Sequence, residues 1–341
     1  MEEIFIQQLL AVNFPYLFLY LIILNMTTTF NWTTTSNPLQ IFSGTQYNFL
    51  QYILGNWNSI SCDSSGQNVV IINSYLPLNN ILISNNYGST WNNLTTSLGN
   101  INLSQAVITP DGKNICLAAI RKGLYVSNNS GTTWTEYLSN NSIQNSAACS
   151  SNGQIILTIG SQSKQNYLTI SLNNGNSFTN PSVPTSNWNY VSMNSSGNIM
   201  AACSSDGICY ISNDTGSTWQ QSSLPTYNWN SISMDSTGNN IVISSLNGFI
   251  YFSNNAGSSW TSCSPINLTW NSVFISSNAN IIFATALNSS NIYYSTNNGT
   301  NWSTTSPNPN STNWGAICCN NDGSIVYTCI NGGYIYIGSS Q

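Results

Sequence analysis

Short apolar runs separated by polar turn residues recur along this chain, and the recurrence has a fixed grammar. An apolar strand start followed by a glycine turn reads Trp57-Asn-Ser-Ile60 with Gly66, Trp188-Asn-Tyr-Val191 with Gly197, Trp229-Asn-Ser-Ile232 with Gly238, and Trp314-Gly-Ala-Ile317 with Gly323. Weaker copies begin at Leu103 with Gly112, at Gln144 with Gly153, and at Trp270, where Ala279 takes the glycine place. The starts at 57, 103, 144, 188, 229, 270 and 314 lie 46, 41, 44, 41, 41 and 44 residues apart. Self-similarity at a period of roughly 40 residues is the signature of a repeat architecture.

A second element follows each of the first six starts: Ser84 to Trp91, Ser127 to Trp134, Ser171 to Phe178, Ser212 to Trp219, Ser253 to Trp260 and Ser295 to Trp302. Each places a glycine (Gly88, Gly131, Gly175, Gly216, Gly257, Gly299) between two strand-like stretches, with Asn two places earlier in five copies and Asp214 in the sixth. Glycine supplies a left-handed backbone position, and Asn or Asp bonds local amides, so the element reads as a hairpin turn. The fifth unit then contains four strands, at 229–234, 240–244, 249–253 and 259–262. Its second strand, like Ile155-Ile-Leu157 and Ile281-Ile-Phe283, is continuously apolar, as suits a sheet covered on both faces. Seven such units predict an all-β, seven-bladed propeller of four-stranded antiparallel blades.

The seventh unit ends after its third strand, and 30–38 echoes the missing fourth: Phe30-Asn-Trp32-Thr-Thr-Thr35 matches Thr300-Asn-Trp302-Ser-Thr-Thr305. The N-terminal strand is therefore expected to complete the last blade, removing a free sheet edge. Trp32 and Trp57 are 25 residues apart, against 10 to 12 for the equivalent interval elsewhere, which places an insertion at about 39–54. The propeller is assigned to 26–341. Residues 1–25 stand apart from the repeat, and the apolar run from Phe14 to Leu24 is shorter than a bilayer-spanning helix. Membrane attachment could come only through 4–24; an atypical signal or a true start at Met26 are the other readings, because Glu2 and Glu3 stand where a signal carries positive charge.

Composition narrows function mainly by exclusion. Charged residues are 4% of the 341, with four Lys and Arg, nine Asp and Glu, no His and a net charge of −5. Phosphate recognition needs several cations and only Arg121 and Lys122 are adjacent, so nucleic acid is excluded as a partner. The nine cysteines show no CxxC spacing and sit mostly in apolar runs, which reads as buried thiols without metal and leans towards an intracellular setting. Asn-rich turns gather too few carboxylates for calcium, and no cofactor is indicated.

The element Ser-x-Asp/Asn-x-Gly-x-Thr-Trp resembles the Asp box, or BNR repeat, of sialidase-like propellers. Its alternation with Trp-Asn-Ser-Ile and Gly is most similar to the photosystem II assembly factor family and its relatives, over 30–341. The resemblance implies the propeller fold and, in the enzymes of the superfamily, a site remote from the box. A sialidase pattern needs three arginines, and Arg121 is the single one in this chain. Glycoside hydrolysis needs paired carboxylates; Asp63, Asp111, Asp206, Asp214, Asp235 and Asp322 recur at turn positions, and Glu136 falls in an outer strand.

The candidate binding residues are Trp57, Trp188, Trp229, Trp270 and Trp314 with Asn58, Asn189, Asn230 and Asn271, at the starts of the strands expected to line the channel. They could hold a neutral glycan by stacking and amide bonds, or the tryptophans could wedge between blades. Arg121, Lys122 and 160–165 break the repeat symmetry and mark a local partner site. The expected function is a non-catalytic scaffold for protein–protein interaction; the alternatives are a neutral-carbohydrate-binding propeller and a divergent glycosidase.

Overall fold

The computed structural model describes residues 30–34, 57–73, 80–94, 98, 101–138, 143–162, 165–264, 266–307 and 310–340. They form seven antiparallel sheets, six of four strands and one of three. Blade I comprises Trp57–Cys62, Val69–Asn73, Asn80–Ser84 and Asn92–Asn93. Blades II to VI repeat the plan from Leu103, Ile143, Trp188, Trp229 and Trp270. The last blade orders Trp314–Cys319, Ile325–Ile330 and Ile335–Ser340 outward, and Phe30–Thr34 pairs with Ile335–Ser340 as its fourth strand. Trp32 lies opposite Gly338. One sheet thus holds both ends of the repeat region, as its echoing sequences implied.

The second strands are the apolar heart of each blade. Val69–Asn73, Ile115–Ala119, Met200–Ser204, Ile241–Ser245 and Ile282–Ala286 are buried along their whole length, each between the sheets on either side. Outer strands shrink to two residues at Asn92–Asn93, Gln220–Gln221 and Thr261–Ser262, because a blade widens towards solvent and loses its neighbours. Blade III departs from the four-stranded plan. Its fourth strand is reduced to one bridge, Ile170 to Thr179, since Pro181 follows and has no N–H to extend the ladder.

The Asp-box turns share one hydrogen-bond pattern. The Ser84 hydroxyl accepts from Gly88 N–H at 2.8 Å, and Asn86 Oδ1 accepts from Thr90 N–H at 2.9 Å. Asp214 does the same for Thr218 N–H at 2.8 Å. Both the glycine and the residue before it take positive φ, as at Ala256 (52°) and Gly257 (79°). This twist matches that of the strands being joined.

The segment 1–25 and the insertion at 39–54 lie outside the described residues. Among the described residues no helix is long and apolar enough to cross a membrane.

Candidate functional site

The seven inner strands, from Trp57–Cys62 round to Trp314–Cys319, surround a central cavity of about 780 Å³. In an antiparallel meander the inner-strand starts and the turns between second and third strands share one face. The Asp boxes occupy the opposite face.

Inner strands do not pair with one another, so side chains bridge them. The hydroxyl of Ser59 both accepts from Ala106 N–H and donates to Ala106 O, each at 3.2 Å. Gln105 Oε1 accepts from Ala147 N–H at 2.8 Å, Ser146 Oγ from Val191 N–H at 3.2 Å, and Ser231 Oγ from Val273 N–H at 3.1 Å. The third place of the Trp-Asn-Ser-Ile motif is thus the seam residue. It follows an irregularity that separates Trp57 from Ser59, Trp229 from Ser231 and Trp270 from Ser272 in the ladder. Such a bulge shifts the register at the intervening Asn and re-aims the side chains beside it.

On the Asp-box face, backbone amides continue the hoop. Ser195 N–H reaches Ser236 O, Ser236 N–H reaches Ser277 O, and Asn278 N–H reaches Asn321 O; Asn321 N–H then closes onto Ser64 O at 2.9 Å.

The five repeated tryptophans do not line the cavity. Trp188, Trp229, Trp270 and Trp314 are fully buried and Trp57 nearly so. Four of them tether blade to blade. Their indole N–H groups donate to a turn carbonyl of the preceding blade: Trp229 to Gly207 at 3.2 Å, Trp270 to Gly248 at 3.1 Å, Trp314 to Ser290 at 3.1 Å, and Trp57 to Gly333 at 2.7 Å across the closure. Trp188 Nε1 finds no acceptor. These rings offer no free face to a stacked ligand.

The neighbouring amides are divided. Asn230 donates to Trp270 O at 2.7 Å and is buried, while Asn271 lines the cavity and donates to Trp314 O at 2.8 Å. Asn58 and Asn189 also line the cavity. Arg121 and Lys122 are exposed in the turn between Ile115–Ala119 and Gly123–Ser127, on the inner-strand-start face, and Arg121 takes a φ of 63°. Of 160–165, Gly160–Gln162 and Gln165 form an extended hairpin, Gln162 opposite Gln165.

Blade IV breaks the seam pattern. Tyr190 takes the third place of the motif, lines the cavity and is 38% exposed. Asn166 donates to Trp188 O at 3.5 Å, replacing the amide of the preceding inner strand in that role. Asn145, Asn189 and Ser192 line the cavity beside Tyr190.

The scarce acids are bound in turns. Asp63 accepts from Asn68 and Ser65, and Asp235 from Thr237, Asn240 and Gly238 N–H. Both are buried at the Asp-box end of the cavity. Asp206 accepts from Asn187 N–H at 2.7 Å, from the Asn187 amide and from Ser186, bonds that hold its carboxyl below the usual range. Thr218 does the same for Asp214, and Ser324 for Asp322. Glu136 lies in the outer strand Thr135–Tyr137, opposite Tyr125. Burial, with a hydrogen bond to Glu136, pushes the Tyr125 phenol up to about 12. Among the described residues no three His, Cys, Asp or Glu side chains gather as metal ligands.

No protein-family model matches this chain, and no curated protein matches it in sequence. Its seven closed blades do match solved structures, one of them YCF48 from Cyanidioschyzon merolae. The chain is similar in fold to YCF48. The TM-score is 0.63 at 11% identity, covering 90% of this chain and 98% of YCF48. A likeness at that identity speaks for shared architecture. The 1675 matching chains make the same point, since so populous a fold selects no single activity. What separates this chain from YCF48 and the rest must lie in its own cavity and turns.

Proposed function

We propose that this chain is a non-catalytic propeller scaffold that holds a protein partner against the face carrying the inner-strand starts. The observation that carries the reading is the commitment of the described carboxylates to turns and outer strand: Asp63 and Asp235 reach the Asp-box end of the cavity but are held in turn hydrogen bonds, and amides, hydroxyls and apolar groups make up most of the rest of the wall. With both carboxylates engaged by their own turns, the wall formed by the described residues presents no free general acid and base to a glycosidic bond. The proposed face carries exposed Leu246 and Ile266 together with Arg121 and Lys122. Exposed apolar side chains that share a face with few charges suit a protein partner better than an ionic ligand. Nine free thiols support a reducing compartment as the place of action.

The test is a cross-linking comparison in the native source. Arg121→Glu with Lys122→Glu should abolish a specific cross-linked species that Lys113→Glu, on the Asp-box face, leaves intact. Equal retention by both variants would defeat the assignment of the face.

A second reading, a neutral saccharide in the channel, is supported by Tyr190 and the amides of Asn145 and Asn189 on one wall. An aromatic face with adjacent amides suits a sugar ring, and the tryptophans first considered for that role are buried. Binding of neutral oligosaccharides that is lost in Tyr190→Ala and kept in Tyr190→Phe would favour it. No binding to the folded protein would exclude it.

A further inference from the structure

The nine cysteines are scattered through the sequence, yet two of them meet where the ring closes. Cys62 is the last residue of the first inner strand and Cys318 the fifth of the last one. Their sulfurs lie 3.6 Å apart across the seam between blades VII and I. This seam is also joined by the Trp57 indole N–H to Gly333 O and by the Tyr327 hydroxyl to Gly66 O, both at 2.7 Å, besides the Asn321 to Ser64 backbone bond. Cys62 is half-buried and lines the central cavity, whereas Cys318 lies behind it at 1% exposure. One thiol of the pair is therefore reachable from solvent and the other is reachable only through the first.

We infer that Cys62 and Cys318 form an oxidisable pair whose disulfide locks the closed ring, with a small-molecule disulfide entering the channel as oxidant. The Cys62 thiolate attacks one sulfur of the oxidant and releases the first small thiol, leaving a mixed disulfide on Cys62. The Cys318 thiol gives its proton to water, and its thiolate attacks Cys62 Sγ, expelling the second small thiol. Two protein thiols are oxidised and one external disulfide is reduced to two thiols, so electrons and protons balance. The partly buried geometry sets the order of events, with the accessible sulfur as acceptor of the oxidant and the hidden one as resolving thiol.

Burial pushes the Cys318 thiol up, which makes the second step slow near neutrality and faster as pH rises. Cys319 follows Cys318 in the same strand and also lines the cavity near Cys62, but the sulfur in contact with Cys62 at 3.6 Å is that of Cys318. The bond would tie the first inner strand to the last, closing a loop that takes in nearly the whole ring, the arrangement in which a cross-link restricts the unfolded chain most.

The experiment treats the reduced, folded full chain with 2-hydroxyethyl disulfide, followed by alkylation and peptic mapping. A peptide pair joined through Cys62 and Cys318 is expected, together with a higher urea midpoint that a reductant reverses. Cys62→Ser should lose both effects, and Cys319→Ser should keep both. The inference is overturned if the folded wild type retains free thiols at both positions, if Cys62 pairs with Cys319, or if the midpoint rises equally in Cys62→Ser. Circular dichroism of each variant establishes that it is folded before the reaction is read, and Cys62→Ala serves in place of Cys62→Ser if the hydroxyl disturbs the seam.

Discussion

Two tryptophans in equivalent positions, one with a hydrogen-bond acceptor and one without, allow the tether between blades to be weighed. Trp270 is fully buried, donates to Gly248 O at 3.1 Å and meets Tyr293 edge-on at 5.2 Å. Trp188 is equally buried and meets Tyr210 edge-on at 5.9 Å, but its Nε1 has no partner. Replacing each by Phe removes the same atoms from similar surroundings, so the packing loss largely cancels in the comparison. At Trp270 the change also deletes a bond with a net value of about 1 kcal/mol and leaves a buried carbonyl short of a donor. At Trp188 it removes an unpaired buried N–H, whose cost is about 1–3 kcal/mol. Trp270→Phe should therefore be the more destabilising by about 2–4 kcal/mol. The assay is urea unfolding followed by far-ultraviolet circular dichroism, which does not depend on the indoles removed, at matched slopes. Equal losses, or a larger one for Trp188→Phe, would refute the tether and leave the tryptophans as apolar filling alone.

Ala279 stands at a φ of 61° where the equivalent turns use glycine. Ala279→Gly should raise stability by about 0.5–1 kcal/mol, the relief of left-handed strain less the added entropy of the unfolded chain, read by the same unfolding curves. Asp206, Asp214 and Asp322 are held below their ordinary value of 3.8, so what they contribute is present above that value and lost as pH falls through the lower folded values. Replacing all three with Asn should flatten the acid limb of a stability–pH profile, and an unchanged limb would contradict the turn bonds. Burial pushes Cys209, Cys263 and Cys329 from 9.0 up to about 12, so the unfolded chain releases protons in that window while the folded one keeps them. Stability should fall as pH rises from 9 to 12, and substituting the three by Ala should reduce the fall. Deleting the strand Phe30–Thr34 should expose the edge of Ile335–Ser340 and produce oligomers on size-exclusion chromatography; a monomer of unchanged midpoint would argue against that pairing as a closure.

The fold was legible because the repeat reports itself locally. Trp229–Met234 begins and ends where its motif indicates, and the neighbouring strands Ile241–Ser245 and Ile250–Ser253 are displaced by a single residue at one or both ends. The missing outer strand in blade III is also written in the chain, as Pro181, although the turn motif before it follows the same pattern as in the blades that keep the strand. The seam was not legible. Ser59 and Ala106 are 47 residues apart, and a serine among so many serines carries no periodic signal of a partner in the next repeat. Tyr190 was visible as the odd residue in the motif, though its exposure in the channel depends on neighbours that no local pattern reports. The tryptophan motif marked where inner strands begin and left two chemistries open, because a buried wedge and a stacking platform use the same residue type.

The last blade also imposes an order in time. Its outermost strand, Phe30–Thr34, leaves the ribosome about 300 residues ahead of its partner, Ile335–Ser340. At about 5–20 residues per second, the early strand waits roughly 15–60 s for its mate, while the blades between them are already able to stack. The ring therefore exists first as an open arc. Any companion that shields the waiting strand, or the apolar flank of blade I, has to leave before Ile335–Ser340 can seat.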